Sequence, residues 1–130
     1  MNIINLLKTI LFFIFLLQLS SCDTHKELPG FDRATWLKDE KGCLGKRISI
    51  ADSIMKYKKL WKGMDDDVLI DLLGTPEKKF YYERNAKAFL YYIEPGNQCS
   101  QNTPSNNKQG RKLVAEINAT GFINIIRTEP

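Results

Sequence analysis

The apolar residues of this 130-residue chain change their spacing at Pro76. Upstream, apolar side chains recur at the three- and four-residue intervals of one face of an amphipathic helix. These residues are Ile50, Ile54, Tyr57 and Trp61. Downstream, the stretches KKFYYER, AKAFLYYIE, RKLVAEINA and FINIIRTE are rich in aromatic and β-branched residues, which favours β-strands. Helices followed by strands predict an α+β domain with the helices on one face of an antiparallel sheet.

The stretch GMDDDVLIDLLGTP, residues 63–76, ends the first helix at its glycine and predicts a second, shorter helix. Asp65 is placed to accept hydrogen bonds from the free backbone N–H groups of the helix start, and Asp66 and Asp67 suit the helix dipole. Gly74 and Pro76 are expected to end this helix. A metal site is the alternative, but the three carboxylates are expected to point in different directions, so one ion would not gather them. The aspartates are therefore predicted to start a helix.

The strands are predicted to form a meander. Asn85-Ala86 separates the first two strands and indicates a hairpin turn, and Thr120-Gly121 indicates a tight turn before the last strand. The polar segment Asn97–Gly110 predicts a long connection between strands. The expected fold is two helices packed on a three- to four-stranded antiparallel meander, in a single domain spanning residues 31–130.

The first 21 residues indicate a secretory signal. Lys8 precedes an apolar run, Ile10–Leu17, that is shorter than the ~20 residues a spanning helix needs. The sequence LSSC that ends at Cys22 resembles the lipobox of bacterial lipoproteins, in which the signal is removed and the cysteine takes acyl chains. We therefore expect residues 1–21 to be removed, Cys22 to be lipidated and residues 22–30 to act as a tether. An ordinary signal peptide or an uncleaved anchor is the alternative.

Two further cysteines, Cys43 and Cys99, are predicted to form a disulfide, because two thiols in a secreted domain most often pair. Loop-closure entropy gives such a bridge about 4 kcal/mol of stabilisation. The alternative, a catalytic thiol, would require a histidine or a basic setting. The one histidine, His25, lies in the tether.

The candidate partner surface consists of aromatic and basic residues. The aromatic hairpin alternates, so one subset of its tyrosines must face away from the helices. We expect Tyr82, Tyr91 and Arg84 to form a patch that binds a partner, with packing inside the sheet as the alternative. The segment Phe31–Arg47 has no sustained period and is predicted to be irregular. Within it, Trp36 either pins the segment or adds to the partner surface.

The second helix and the strands that follow resemble the SmpA/OmlA (BamE-like) family of small outer-membrane lipoproteins. Gly63 and Met64 precede the helix, Val68 lies within it, and Leu73-Gly74 followed by Pro76 closes it. The resemblance covers about residues 60–127 and includes the lipobox, although Asp65 replaces the usual Thr or Ser. The cysteines of the predicted disulfide and the segment before the first helix have no counterpart. The resemblance implies the α+β fold, lipid anchoring to the outer membrane on its periplasmic face, and a role beside the barrel-assembly machinery.

The composition excludes some functions. There are 19 Lys and Arg against 15 Asp and Glu, a net charge of +4 that is too small and too scattered to indicate nucleic-acid binding. No paired carboxylates in a cleft, phosphate-binding loop or CxxC motif points to catalysis, and no cofactor or metal is expected. The sequence predicts a non-catalytic lipoprotein that binds an envelope protein. An inhibitor or immunity-type lipoprotein that binds an enzyme is the alternative.

Overall fold

The computed structural model describes residues 2–16, 28–99 and 109–130. The predictions on signal removal, on Cys22 and on most of the tether fall outside these residues. The helices are α1 (Ile3–Leu16), α2 (Arg33–Lys38), α3 (Arg47–Lys56), α4 (Lys58–Trp61) and α5 (Asp66–Leu73). The strands are β1 (Lys78–Tyr81), β2 (Lys87–Tyr92), β3 (Lys112–Ile117) and β4 (Ile123–Glu129). The predicted α+β class is therefore confirmed.

Helix α1 contains 14 residues. A helix that crosses the hydrocarbon core of a bilayer needs about 20. Across residues 2–16, 28–99 and 109–130, no helix is both long enough and apolar enough to span a membrane.

The sheet is an antiparallel meander in chain order, β1-β2-β3-β4. Leu90 of β2 lies between Lys78 of β1 and Val114 of β3, and Val114 is paired with Arg127 of β4. The turn before β4 is closed by Asn118, whose side-chain oxygen accepts hydrogen bonds from the backbone N–H groups that follow it. The four strands thus follow the predicted order.

Helix α5 begins and ends where the sequence predicts. The Asp65 carboxylate accepts a hydrogen bond from the Asp67 backbone N–H at 2.9 Å. After the last turn, Gly74 has a φ of +79°, which a residue with a side chain adopts only with strain. The buried side chains of α5 are Leu69, Leu72 and Leu73. Val68, which was predicted on the same apolar face, is 44% exposed.

The core lies between the helices and one face of the sheet. The apolar face from Ile50 to Trp61 predicts one continuous helix, but the helix breaks at Tyr57, where φ is −107° and ψ is 24°. Helix α4 follows the break and places Trp61 in the core, where it is 1% exposed. The prediction of one straight helix is therefore wrong at Tyr57.

Residues 31–47 are more ordered than predicted. At the start of α2, Asp32 accepts hydrogen bonds from the hydroxyl and the backbone N–H of Thr35, and these bonds lower the pKa of Asp32. The Trp36 side chain is fully buried, and its indole N–H donates to the Leu73 carbonyl at 3.0 Å. Trp36 therefore pins the segment, and its placement on a partner surface is wrong.

A buried ion pair connects this segment to the sheet. The Arg47 guanidinium stacks 4.5 Å from the centre of the Trp36 ring and pairs with Glu77 at 2.8 Å. It also donates to the Tyr92 carbonyl at 2.9 Å. The fully buried Asp39 accepts two backbone N–H groups from the turn that precedes α3. Each of these charges thus has hydrogen-bond partners, and a buried charge without them would destabilise the fold.

The predicted disulfide joins Cys43 to Cys99, with their Cα atoms 5.6 Å apart. It connects the turn after α2 to the beginning of the β2–β3 connection. Beside it, the Gln98 side-chain amide donates to the carbonyls of Lys41 at 3.1 Å and Glu94 at 2.7 Å. The start of this connection is therefore fixed at one end of the sheet.

Candidate functional site

The two faces of the sheet differ in what covers them. The inner face contributes side chains to the core beneath the helices, among them Phe89, Tyr91 and Leu113. The outer face carries a second buried cluster. Among the described residues, no helix contributes a side chain to it. This cluster is Ala88, Leu90 and Val114, with Tyr92 packed against it. The three buried members are 1%, 7% and 5% exposed, so side chains around them exclude water without a helix.

The outer face forms a groove of about 580 Å³. The buried cluster is its floor. Phe80 and Tyr82 form the wall on the β1 side, and they remain 42% and 60% exposed. The opposite wall is formed by Arg127 and Glu129 of β4. The volume falls in the range of sites that bind small ligands or short peptide segments.

One end of the groove is built from contacts distant in sequence. Tyr92 lines this end, and its backbone is held by Glu77, which accepts its N–H at 3.1 Å, and by Arg47, which donates to its carbonyl. Gln98 also lines this end, next to the disulfide that fixes the connection. Arg47 and Cys43 therefore fix the position of this end of the groove, although neither residue lines it.

The acidic groups at the β4 side of the groove share one cation. Arg127 donates to Glu116 and to Glu129, the latter at 2.8 Å. These hydrogen bonds, with that to Glu116 the stronger contributor, raise the pKa of Arg127. One guanidinium therefore binds two carboxylates at the β4 wall, which leaves this set of three residues with a charge of −1.

Two lysines that line the groove have no ion-pair partner among the described residues. Lys78 and Lys112 line the groove, and in the part of the chain that the structure describes neither lies within ion-pair distance of a carboxylate. Lys112 donates only to the neutral side-chain oxygen of Gln109, at 3.1 Å. Glu129 is opposite Lys112 in the β3–β4 register but is bound to Arg127. The groove thus presents two ammonium groups beside an apolar floor.

The predicted surface residues do not lie together. Tyr82 is exposed at the groove, as expected for a partner surface. Arg84 is exposed in the β1–β2 turn, with a φ of +58°, and does not line the groove. Tyr91 is fully buried on the inner face, and its hydroxyl donates to the Gly74 carbonyl at 3.1 Å. The placement of Tyr91 on a partner surface is therefore wrong.

The length of the β1–β2 turn explains this error. A two-residue turn at Asn85-Ala86 would pair Tyr82 with Phe89 and place Tyr82 and Tyr91 on one face. The structure has a longer turn, Glu83–Asn85, closed by a hydrogen bond from the Tyr82 N–H to the Ala86 carbonyl at 2.8 Å. A register shift of one residue exchanges the faces of every side chain on a strand. Phe80 and Tyr92, not Tyr91, therefore share the groove with Tyr82.

The three consecutive aspartates lie closer together than predicted. One carboxylate oxygen each from Asp65, Asp66 and Asp67 lies within 4.8 Å of the others, so the expectation that they point apart is wrong. Two of the three have roles in the fold. Asp65 caps α5, and Asp66 forms an ion pair with Lys87 of β2. Exposed carboxylates at a helix start are also stabilised by the helix dipole, which accounts for the cluster.

Comparison of the chain with protein-family models, with curated proteins and with solved structures gives no match. The resemblance to the SmpA/OmlA family therefore remains a prediction from the residues that carry it.

Proposed function

We propose that this protein is a non-catalytic, lipid-anchored accessory protein of the cell envelope that binds another protein through the outer face of its sheet. The observation that carries the proposal is the buried cluster of Ala88, Leu90 and Val114, which lies on the face without helices and is bordered by exposed aromatic residues. Exposed tyrosine and phenylalanine beside a small apolar floor is the composition of protein interfaces.

The proposed anchor is Cys22. The lipobox-like sequence before it supports acylation, and the polar residues 22–30 supply a tether between the membrane and the domain. Acyl chains contribute about 0.8 kcal/mol per buried CH₂ group, which holds a small domain on a membrane without a spanning helix. We place the protein on the periplasmic face of the outer membrane, where a barrel-assembly subunit is one suitable partner.

The anchor is tested by metabolic labelling with a palmitate analogue. We expect label in the full-length protein and none in the Cys22→Ala variant. A Cys43→Ser/Cys99→Ser variant serves as the control, because it removes the other two thiols and should keep the label. Label that persists without Cys22 would exclude the lipoprotein assignment.

The groove is tested by photo-crosslinking in native membranes. A photo-reactive amino acid is introduced in place of Tyr82 in the groove, or in place of Val68, which is similarly exposed but on α5. We expect a discrete protein adduct from position 82 and none from position 68, with the adduct identified by mass spectrometry as an envelope protein. A secreted enzyme in the adduct would favour the inhibitor alternative, and no adduct from position 82 would refute the groove as the binding surface.

A further inference from the structure

We propose that the groove binds an extended, acidic segment of the partner protein, with carboxylates at Lys78 and Lys112 and an apolar side chain between them. This inference rests on the proposed function and specifies the chemistry of the partner. It follows from the charges around the groove and from the spacing of the two lysines.

The cations around the groove differ in whether they have a carboxylate partner. The guanidinium of Arg127 has two carboxylate partners. Lys78 and Lys112 have none among the described residues, although both lie beside the buried floor. Two ammonium groups without carboxylate partners, beside an apolar surface, attract an anionic partner. The groove therefore selects acidic ligands over basic ones.

The sheet register sets the spacing of the two contacts. Lys78 is opposite Leu90, and Lys112 is opposite Tyr92, on the two sides of β2. The two lysines are two strands apart across the sheet and two residues apart along it. Their Cα atoms are therefore separated by roughly 12 Å. In an extended peptide, two acidic residues four positions apart span about 13 Å, with the residue midway between them on the same face. That central residue would lie over Leu90 and Tyr92.

The β2–β3 connection of this chain does not supply the acidic segment. Residues 100–108 contain no aspartate or glutamate. Glu129 of β4 is already bound to Arg127. We assign the carboxylates to a partner protein, in line with the proposed function.

A set of three capped peptides tests the chemistry directly. The probe is GEGVGEG, acetylated and amidated, which has the acid–apolar–acid spacing. GKGVGKG reverses the charges, and GEGGGEG removes the apolar side chain. Binding of each peptide to the purified domain is measured by NMR titration at low salt. We expect GEGVGEG to shift resonances of the groove, GEGGGEG to bind more weakly and GKGVGKG not to bind. Equal affinity for GKGVGKG and GEGVGEG would overturn the inference.

Charge-reversal variants test which lysines bind the probe. Lys78→Glu/Lys112→Glu is expected to weaken GEGVGEG binding by about tenfold, because two attractive contacts become repulsive. Lys58→Glu/Lys59→Glu makes the same change in net charge at two exposed lysines outside the groove, and it should change affinity by less than about twofold. A Lys78→Gln/Lys112→Gln variant provides the milder change if the first variant is less stable. Equal losses in the groove and control variants would overturn the inference.

Crosslinking to the native partner shows whether the acidic-segment inference fails alone or whether the proposed function fails with it. The crosslinked adduct from position 82 is measured again in the Lys78→Glu/Lys112→Glu background. We expect its yield to fall by about tenfold, in line with the peptide. An adduct of unchanged yield would leave the groove as the binding surface and refute the acidic segment. If the parent protein forms no adduct at position 82, the proposed function itself fails.

Discussion

At the residue scale, Gly42 combines a left-handed backbone conformation with a close approach to the end of β2. Its φ is +68°, and a Cβ atom there would lie 2.6 Å from the Ile93 backbone. Gly63 has a similar φ of +81° but nothing within 4 Å of a Cβ atom. We expect Gly63→Ala to lower the free energy of unfolding by about 1 kcal/mol, from backbone conformation alone.

Gly42→Ala should lower the free energy of unfolding by about 3 kcal/mol, because the end of β2 must also shift. Chemical denaturation of the two variants measures this difference. Equal losses would contradict the close approach of the turn to β2.

Tyr91 gives a pH-dependent prediction at the same scale. Burial, and next the negative charge of Glu77, raise the pKa of its hydroxyl well above the ordinary value of 10.0. Above that ordinary value the unfolded chain releases the proton while the folded chain keeps it. The phenol therefore stabilises the fold fully below pH 10, and this contribution is lost as the pH rises from there.

The Tyr91→Phe variant separates the two effects. We expect it to lose about 1 kcal/mol of stability at neutral pH, since the hydrogen bond to Gly74 disappears. Between pH 10 and pH 11 its stability should fall less steeply than that of the parent protein. Tyr82→Phe, at an exposed position, should match the parent throughout. Identical alkaline slopes for Tyr91→Phe and the parent would show that Tyr91 does not titrate as described.

At the scale of elements, the disulfide is expected to stabilise both the domain and the groove. Removing it with Cys43→Ser/Cys99→Ser should lower the free energy of unfolding by about 2–4 kcal/mol. GEGVGEG should also bind several-fold more weakly, since Gln98 next to Cys99 lines the groove. Dithiothreitol should bring the parent to the same melting temperature and leave the variant unchanged. A reductant effect on the variant would mean that stability depends on something other than this bond.

The elements that the sequence predicts well are those fixed by local signals. Helix α5 has a cap at Asp65 and a stop at Gly74, and both are read from adjacent residues. The strands are marked by composition and by turn residues. Residues 31–47 were not predicted, because their order depends on contacts such as Arg47 with Glu77, thirty positions away. The periodicity of neighbouring residues does not reveal such long-range pairs.

At the scale of the whole molecule, the sheet order was predictable but its register was not. Alternation along β2 shows that one set of side chains faces outward, yet the length of the β1–β2 turn decides which set. The groove therefore could not be assigned from the sequence, although Tyr82 was. The outer cluster could not be predicted either, because Ala88, Leu90 and Val114 are apolar like the core residues beside them in the sequence.

The central claim is that the outer groove, and no other surface of the domain, binds the partner. Ala88→Trp places a large side chain on the groove floor and leaves the inner core unchanged. Ala88 is 1% exposed, so the side chains around it must shift, and we expect the variant to fold with its stability lowered by about 1–3 kcal/mol.

The most direct measurement is the crosslinking yield from position 82 in native membranes, with and without Ala88→Trp. The account predicts that the adduct of the parent protein disappears in the folded variant. An adduct formed with undiminished yield by the folded variant would contradict the account, because a partner that still binds over a filled groove does not use it.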